Sequence, residues 1–197
     1  MEELQIRVLE GRWGPQVEYA LRYPSTDRGS TPFDRYWRQR VQRLRRNIGR
    51  EPGRFPTKYA SEWQETRRDG RFCSGFLEVS RRIGHNDWSL WRMAGTFRTE
   101  TGHALPLSAL LGQNWKRTLH PLILQRLERA AAGETPFFRG WQRRMDAFLD
   151  GERYYLTGEG LCLWFPQEAL APKNAGLPTV ILPYDLLPRL QLLSPHD

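Results

Sequence analysis

Four histidines, two cysteines and a scatter of carboxylates are the residues of this chain that could carry chemistry, and their spacing restricts it sharply. His85, His103, His120 and His196 stand nowhere at HxH or HxxxH spacing, and no CxxC or Cys/His cluster occurs, so no metal centre is expected. His85-Asn86-Asp87 comes nearest to a ligand cluster and reads as a polar loop. His120 precedes Pro121 in a helical stretch and reads as a surface or capping residue, and His196 is in the tail. Cys73 and Cys162 each sit in an apolar, strand-like run; two buried free thiols are expected, with a single disulfide as the alternative. Asp146, Glu152 and Glu159 could do acid–base work only if folding brought them together. There is no GxSxG elbow, no phosphate-cradling loop and no dinucleotide fingerprint; Gly158-Glu159-Gly160 is hairpin chemistry. No catalytic, cofactor or metal residue is assigned, and the chain is expected not to be an enzyme. A hydrolase whose site assembles only in three dimensions is the minority alternative.

Charge and aromatic content leave binding open. The 197 residues carry 30 Lys and Arg against 22 Asp and Glu, a net charge of +8, and 27 of the 30 are Arg. Basic charge favours an acidic partner without naming one. Arg35, Arg38, Arg45 and Arg46, with Arg50 just beyond, would line one face of the first helix and are the candidate phosphate or acidic-partner contacts. Eight Trp read mainly as core filler; Trp88 and Trp141 are the candidates for an exposed aromatic binding surface.

The elements that must position these residues follow from hydrophobic periodicity. Val17 to Tyr23 reads as a strand, and Pro24 to Thr31 as a loop. Thr31 as N-cap, Pro32 at the first helical position and Asp34 in the first turn predict a helix. Phe33, Tyr36, Trp37, Val41, Leu44 and Ile48 form its apolar face, and Gly49 stops it. Arg40 falls inside that apolar arc, so it is expected to be partly buried and to snorkel or meet a carboxylate. Strands are expected over Tyr59–Arg67, Phe72–Ile83 and Trp88–Thr99, with His103 to Leu107 returning antiparallel. A second long helix is predicted from Asn114 to Ala132, kinked or restarted at Pro121, and a short one near Trp141 to Leu149. Tyr154–Thr157 and Leu161–Phe165 should form a hairpin, Thr179–Leu182 a last strand, and Tyr184–Leu190 a turn or short helix. The fold class expected is α+β, an antiparallel sheet with two main helices packed on one face.

The segment from Tyr154 to Leu187 resembles the C-terminal signature of the DUF3298 family of RsiV-like anti-sigma factor sensor domains, also found beside PdaC-type deacetylases. The matching residues are Tyr155, Leu156, Thr157, Gly160, Leu161, Phe165, Ala171, Pro172, Gly176, Pro183 and Tyr184. Thr99 to Leu111 is similar to the family's Thr-Gly hairpin before a Leu-rich helix entry, and Val17 to Pro24 followed by a long helix is similar to the PdaC-like DUF4163 region. The resemblance implies a DUF4163-like region over 14–100 and a DUF3298 region over 101–190, joined in one compact unit. It departs from the family pattern at Glu168 to Lys173 and at Ile83 to Asp87. The binding of lysozyme, a cationic protein, by RsiV itself is not carried over, because a chain of +8 would repel it. What the resemblance implies is a binding or sensing module whose ligand is a protein or a cell-wall-type glycan, without a cofactor. The alternative is a nucleic-acid-associated protein using the Arg-rich helix. The first residues, with Glu2, Glu3 and Glu10, lack the pattern of a signal peptide, and no run of about 18 apolar residues occurs. A cytoplasmic location is therefore expected, though a segment of a membrane protein would read the same.

Overall fold

The computed structural model describes residues 3–50, 55–85, 87–133 and 137–194. Asn86 and His196 lie outside them. Five strands, β1 (Leu4–Trp13), β2 (Val17–Thr26), β3 (Thr57–Arg68), β4 (Phe72–Ile83) and β5 (Asp87–Arg98), form one sheet in chain order. Neighbours are antiparallel except β2 and β3, which are parallel. Helix α1 (Pro32–Ile48) is the crossover that makes them so, since parallel neighbours cannot be joined by a tight hairpin. β1 was not foreseen, and β2 extends through Pro24 to Thr26 where a loop was expected.

Helix α1 forms as its sequence dictates. The Thr31 side chain accepts from the Asp34 amide while the Asp34 carboxylate reaches back to the Thr31 amide, a complete capping box. Phe33, Trp37, Val41, Leu44 and Ile48 are buried against Val17, Tyr19, Leu21, Tyr59, Leu77 and Phe97 of the sheet. Each such side chain contributes about 1.5–3 kcal/mol of burial. Gly75 and Gly95 lie directly opposite each other on this face. A Cβ at Gly75 would run into the Trp63 ring, and one at Gly95 into Phe97 and Tyr36. The paired glycines leave the trough in which those rings settle.

The tail from Tyr154 builds a second sheet of β6 (Tyr154–Leu156), β7 (Gly160–Trp164) and β8 (Thr179–Pro183), all antiparallel. Alternation divides its two faces. Tyr155, Cys162 and Trp164 pack on Phe76 and Ala94, on the side of the five-stranded sheet away from α1. Tyr154, Leu156, Leu161, Leu163, Val180 and Leu182 pack under α2 (Leu107–Leu111), α3 (Trp115–Ala131) and α4 (Trp141–Phe148), with α5 (Pro188–Gln191) closing the end. The layers run α1, five strands, three strands, helices.

The α+β class therefore holds, with two differences of detail. The larger sheet has one parallel pair, and the two long helices lie on opposite outsides rather than on one face, because each half buries its own apolar face separately. The tail does lie against the sheet that contains Val17. Leu156 is clasped between Ser74 Oγ, which accepts from its amide at 2.8 Å, and Thr66 Oγ1, which donates to its carbonyl at 2.6 Å. Pro121 sits inside a single continuous helix rather than at a restart. The expected return from His103 shrinks to one bridge, Phe97 to Ala104, before α2 begins.

Candidate functional site

The reactive residues are dispersed or enclosed. Cys73 and Cys162 are buried free thiols in different packing clusters. Burial pushes the Cys73 thiol up to about 11 and raises that of Cys162, so neither is poised as a thiolate. His85, in a turn, and His103, in the loop after β5, are both exposed. His120 and Asp146 meet, which spacing did not reveal: Nε2 lies 2.8 Å from Oδ1, joining α3 to α4 at the surface. Glu152 pairs with Arg40, and Glu159 sits exposed in the β6–β7 turn, so the three available carboxylates each go to a different place. Among the described residues no group of three His, Cys, Asp or Glu could hold a metal ion.

One small cleft lies where the two halves meet. It has a volume of about 160 Å³ and is lined by Tyr36 and Arg40 of α1, Ala94 to Thr96 of β5, and Glu152 and Tyr154 from the tail. Arg40 behaves as its place in the apolar arc required. Its guanidinium sits 4.4 Å from the centre of the Tyr36 ring and 3.1 Å from Glu152, so it both packs and meets a carboxylate. Tyr36 donates to the Ala94 carbonyl at 2.8 Å, and Tyr154 donates to that of Leu105. Burial pushes the Tyr36 hydroxyl up to about 12 and raises that of Tyr154. These groups satisfy one another, and the arrangement clamps the halves together.

The solvent face of α1 is different. Six arginines against one aspartate leave this helix at +5, of +8 for the whole chain. Its one acid, Asp34, points inward. Asp34 accepts hydrogen bonds from Ser25 Oγ at 2.9 Å, the Thr26 amide and hydroxyl at 2.7 Å each, and the Thr31 amide and hydroxyl at 2.8 and 2.7 Å. Burial alone would raise its pKa; the hydrogen bonds from the Thr31 and Thr26 side chains, then from their amides, outweigh it and bring the group down to about 2. Asp34 therefore stays charged and internally satisfied.

Of the arginines singled out by sequence, Arg35 donates to the Ser30 carbonyl at 2.8 Å and Arg38 to that of Gly29, both from exposed positions. Arg45 is half-buried, donating to the Tyr19 hydroxyl at 3.0 Å with its guanidinium 5.5 Å from the Trp13 ring. Arg46 and Arg50 are exposed. Arg43, also exposed, belongs to the same face and was missed, although it lies three residues before Arg46. The aromatic candidates separate. Trp88 is 41% exposed, but Trp141 is 6% exposed, in edge contact with Phe137 under α4, so the two make no common surface.

The open half of the five-stranded sheet is charged but paired. Arg12, Glu18 and Lys58 form one cross-strand ladder. Arg22 with Glu62 and Arg92 with Glu78 form another.

No family model and no curated protein matches the chain. Solved structures that share its fold include two DUF3298 proteins. A DUF3298 family protein from Pseudomonas aeruginosa superposes with a TM-score of 0.62 at 13% identity, over 96% of this chain and 97% of that one. A DUF3298 family member from Bacteroides fragilis gives 0.57 at 11%, over 94% and 92%. The fold, from the five-stranded sheet to the tail, is thus the one these DUF3298 proteins have. No helix among the described residues is long and apolar enough to cross a membrane.

Proposed function

We propose that this chain is a non-catalytic binding module of the DUF3298 family, of the RsiV-like kind, whose ligand is anionic and docks on the solvent face of α1. The carrying observation is that one helix holds +5 of the chain's +8 while its only carboxylate is turned inward and held by five hydrogen bonds. Arg43 and Arg46 are exposed, and neither has an ion-pair partner among the described residues. A guanidinium in that state offers charge and directional donors to carboxylate or phosphate. The seam cleft, whose polar groups hold each other, supports reading the fold as a scaffold rather than a reaction vessel.

Among anionic ligands, an acidic protein surface, an anionic cell-wall polymer and a nucleic acid differ in how they use such a face. The first requires shape complementarity around the helix; the other two require chiefly phosphate contacts. Two buried free thiols support a reducing compartment such as the cytoplasm, which favours an acidic protein or nucleic acid over a cell-wall polymer.

The test is binding of the purified chain to duplex DNA, to a glycerol-phosphate polymer and to poly-glutamate over a salt series. Affinity should fall steeply with salt for at least one of them, and Arg43→Glu with Arg46→Glu should abolish it. Absence of binding to all three at low salt, or binding indifferent to the double reversal, would end this reading.

A further inference from the structure

Helix α1 is the outer layer on its side of the five-stranded sheet, and the other helices among the described residues pack on the far side, beyond the tail. At about 100° and 1.5 Å of rise per residue, its solvent-side residues fall into three rows. Arg35, Gln39, Gln42 and Arg46 run along the crest, within about 40° of the direction opposite the buried face. Arg38 and Arg45 flank the crest towards β1, where Arg38 donates to the Gly29 carbonyl and Arg45 lies over the Trp13 ring. Arg7 of β1 extends that flank, with Nη2 3.0 Å from where a Cβ on Gly29 would stand. Arg43 makes the other flank, on the side of Tyr36, which bonds to Ala94 of β5. The exposed residues of α1 are Arg35, Arg38, Gln39, Arg43, Arg46 and Asn47, with no apolar group and no acid among them.

We propose that α1 enters the major groove of B-form DNA. The assignment rests on the anion-binding reading of α1 and separates the anions by what this face lacks as well as by what it holds. An acidic protein needs a desolvated core at the centre of the contact, from which charged residues are depleted. The centre here is the crest, made of arginine and glutamine. A single strand needs a track of aromatic rings on which its bases stack. Trp13, 41% exposed beside Gly49, already carries the Arg45 guanidinium and is one ring. Duplex RNA keeps its major groove too deep and narrow for side chains to read. The major groove of B-DNA, about 12 Å wide, admits one helix of about 10–12 Å diameter. In that pose Arg7 and Arg38 on one flank and Arg43 on the other meet the two rows of phosphates. The crest faces the base edges, where Gln pairs with adenine and Arg with guanine. Arg35 and Arg38 are tethered to the carbonyls of Ser30 and Gly29, which orients them without offsetting their charge.

The test titrates the full chain at low salt with a DNA duplex, the same duplex carrying a bulky group on thymine C5, the matching RNA duplex, a DNA single strand and poly-glutamate. The C5 group fills the major groove, so the plain DNA duplex is expected to bind at least about tenfold more tightly than each of the others. Log affinity should fall against log salt with a slope of about −3, one phosphate for each flanking arginine. Gln39→Glu, an exposed change that sets a carboxylate against the base edges, should weaken duplex binding at least about tenfold with circular dichroism unchanged. Equal affinity for any of the other four ligands, or a Gln39→Glu variant that binds as the wild type does, would overturn the groove assignment and leave α1 an anion site. Failure of every ligand to bind, or indifference to Arg43→Glu with Arg46→Glu, removes instead the anion-binding reading beneath it.

Discussion

The solvent face of α1 and the open face of the five-stranded sheet both expose arginines, and they differ in what stands beside those arginines. On the sheet, cross-strand register places acids next to bases. Glu18 lies between Arg12 and Lys58, and Glu62 and Glu78, directly opposite each other, are offset by Arg22 and Arg92. On α1 the only acid is inside. A face whose charges are paired within itself offers little field to a partner, whereas an acid-free face of a single sign offers a great deal. Arginine count alone would not separate the two.

The largest expected effect tests why the acid is inside. Asp34→Ala leaves the donors of Ser25, Thr26 and Thr31 without an acceptor and should cost about 3–4 kcal/mol in urea unfolding at pH 7. The sign of the pH effect follows from the depressed pKa. With a folded value of about 2 against the ordinary 3.8, Asp34 stabilises the fold above about pH 4, and that contribution is lost as pH falls through 2. Between those limits the stability of the variant should be flatter than that of the wild type. A comparison of unfolding midpoints across that window decides it.

Next comes the buried end of the sheet ladder. Arg92 holds Glu78 through both Nε and Nη2, at 3.0 and 2.9 Å, lies 4.2 Å from the centre of the Phe76 ring and donates to the Tyr155 hydroxyl at 3.3 Å. Arg92→Ala should cost about 2–3 kcal/mol, since it strands Glu78 opposite Glu62 and uncovers the contact between the two sheets. A midpoint within error of wild type would mean that the ladder is decoration, and the contrast with α1 would lose its structural side.

How much of this was legible beforehand divides along physical lines. Much that is local was: the Thr31 N-cap, the apolar face of α1, the partly buried Arg40, the β6–β7 hairpin. Each depends on residues a few positions apart, where periodicity and capping rules apply. What depended on pairing was not. β1 alternates over Leu4 to Val8 but loses the pattern at Leu9, Glu10 and Gly11, too short a run to mark a ten-residue strand. The parallel β2–β3 pair required knowing that α1 was a crossover, and the ladders required the register. Tryptophan type says nothing of direction, so the sequence leaves Trp141 a surface candidate; helix α4 turns it inward beside Met145. The DUF3298-like residues turned out to hold the fold. The Tyr184 hydroxyl accepts from Arg67 at 2.9 Å and donates to the Thr157 carbonyl at 2.7 Å, and a Cβ on Gly160 would collide with the Leu182 backbone.

A smaller effect separates the two faces directly. If α1 alone recruits anions, Arg43→Ala should weaken polyanion binding about three- to tenfold and reduce its salt slope by about one. Arg22→Ala, which removes one exposed member of the sheet ladder 3.7 Å from Glu62, should leave both unchanged. Equal losses from the two substitutions would show that the ligand responds to net charge and not to the face.

The smallest effect concerns the one arginine of α1 that is paired. Arg40 and Glu152 are 3.1 Å apart, but Glu152 is largely in water, so the ion pair itself is worth little. Most of what Arg40 contributes is its stem and its guanidinium over the Tyr36 ring. Arg40→Met keeps the stem and loses the charge, and should change stability by less than about 1 kcal/mol, whereas Arg40→Ala should cost about 1–2 kcal/mol. Neither should alter anion affinity beyond about twofold, because Glu152 already neutralises this position and it lies on the inner arc of the helix. Arg40 thus serves as an internal control. It is on the same helix as Arg43, but it lies on the inner arc with a carboxylate within reach, whereas Arg43 faces solvent.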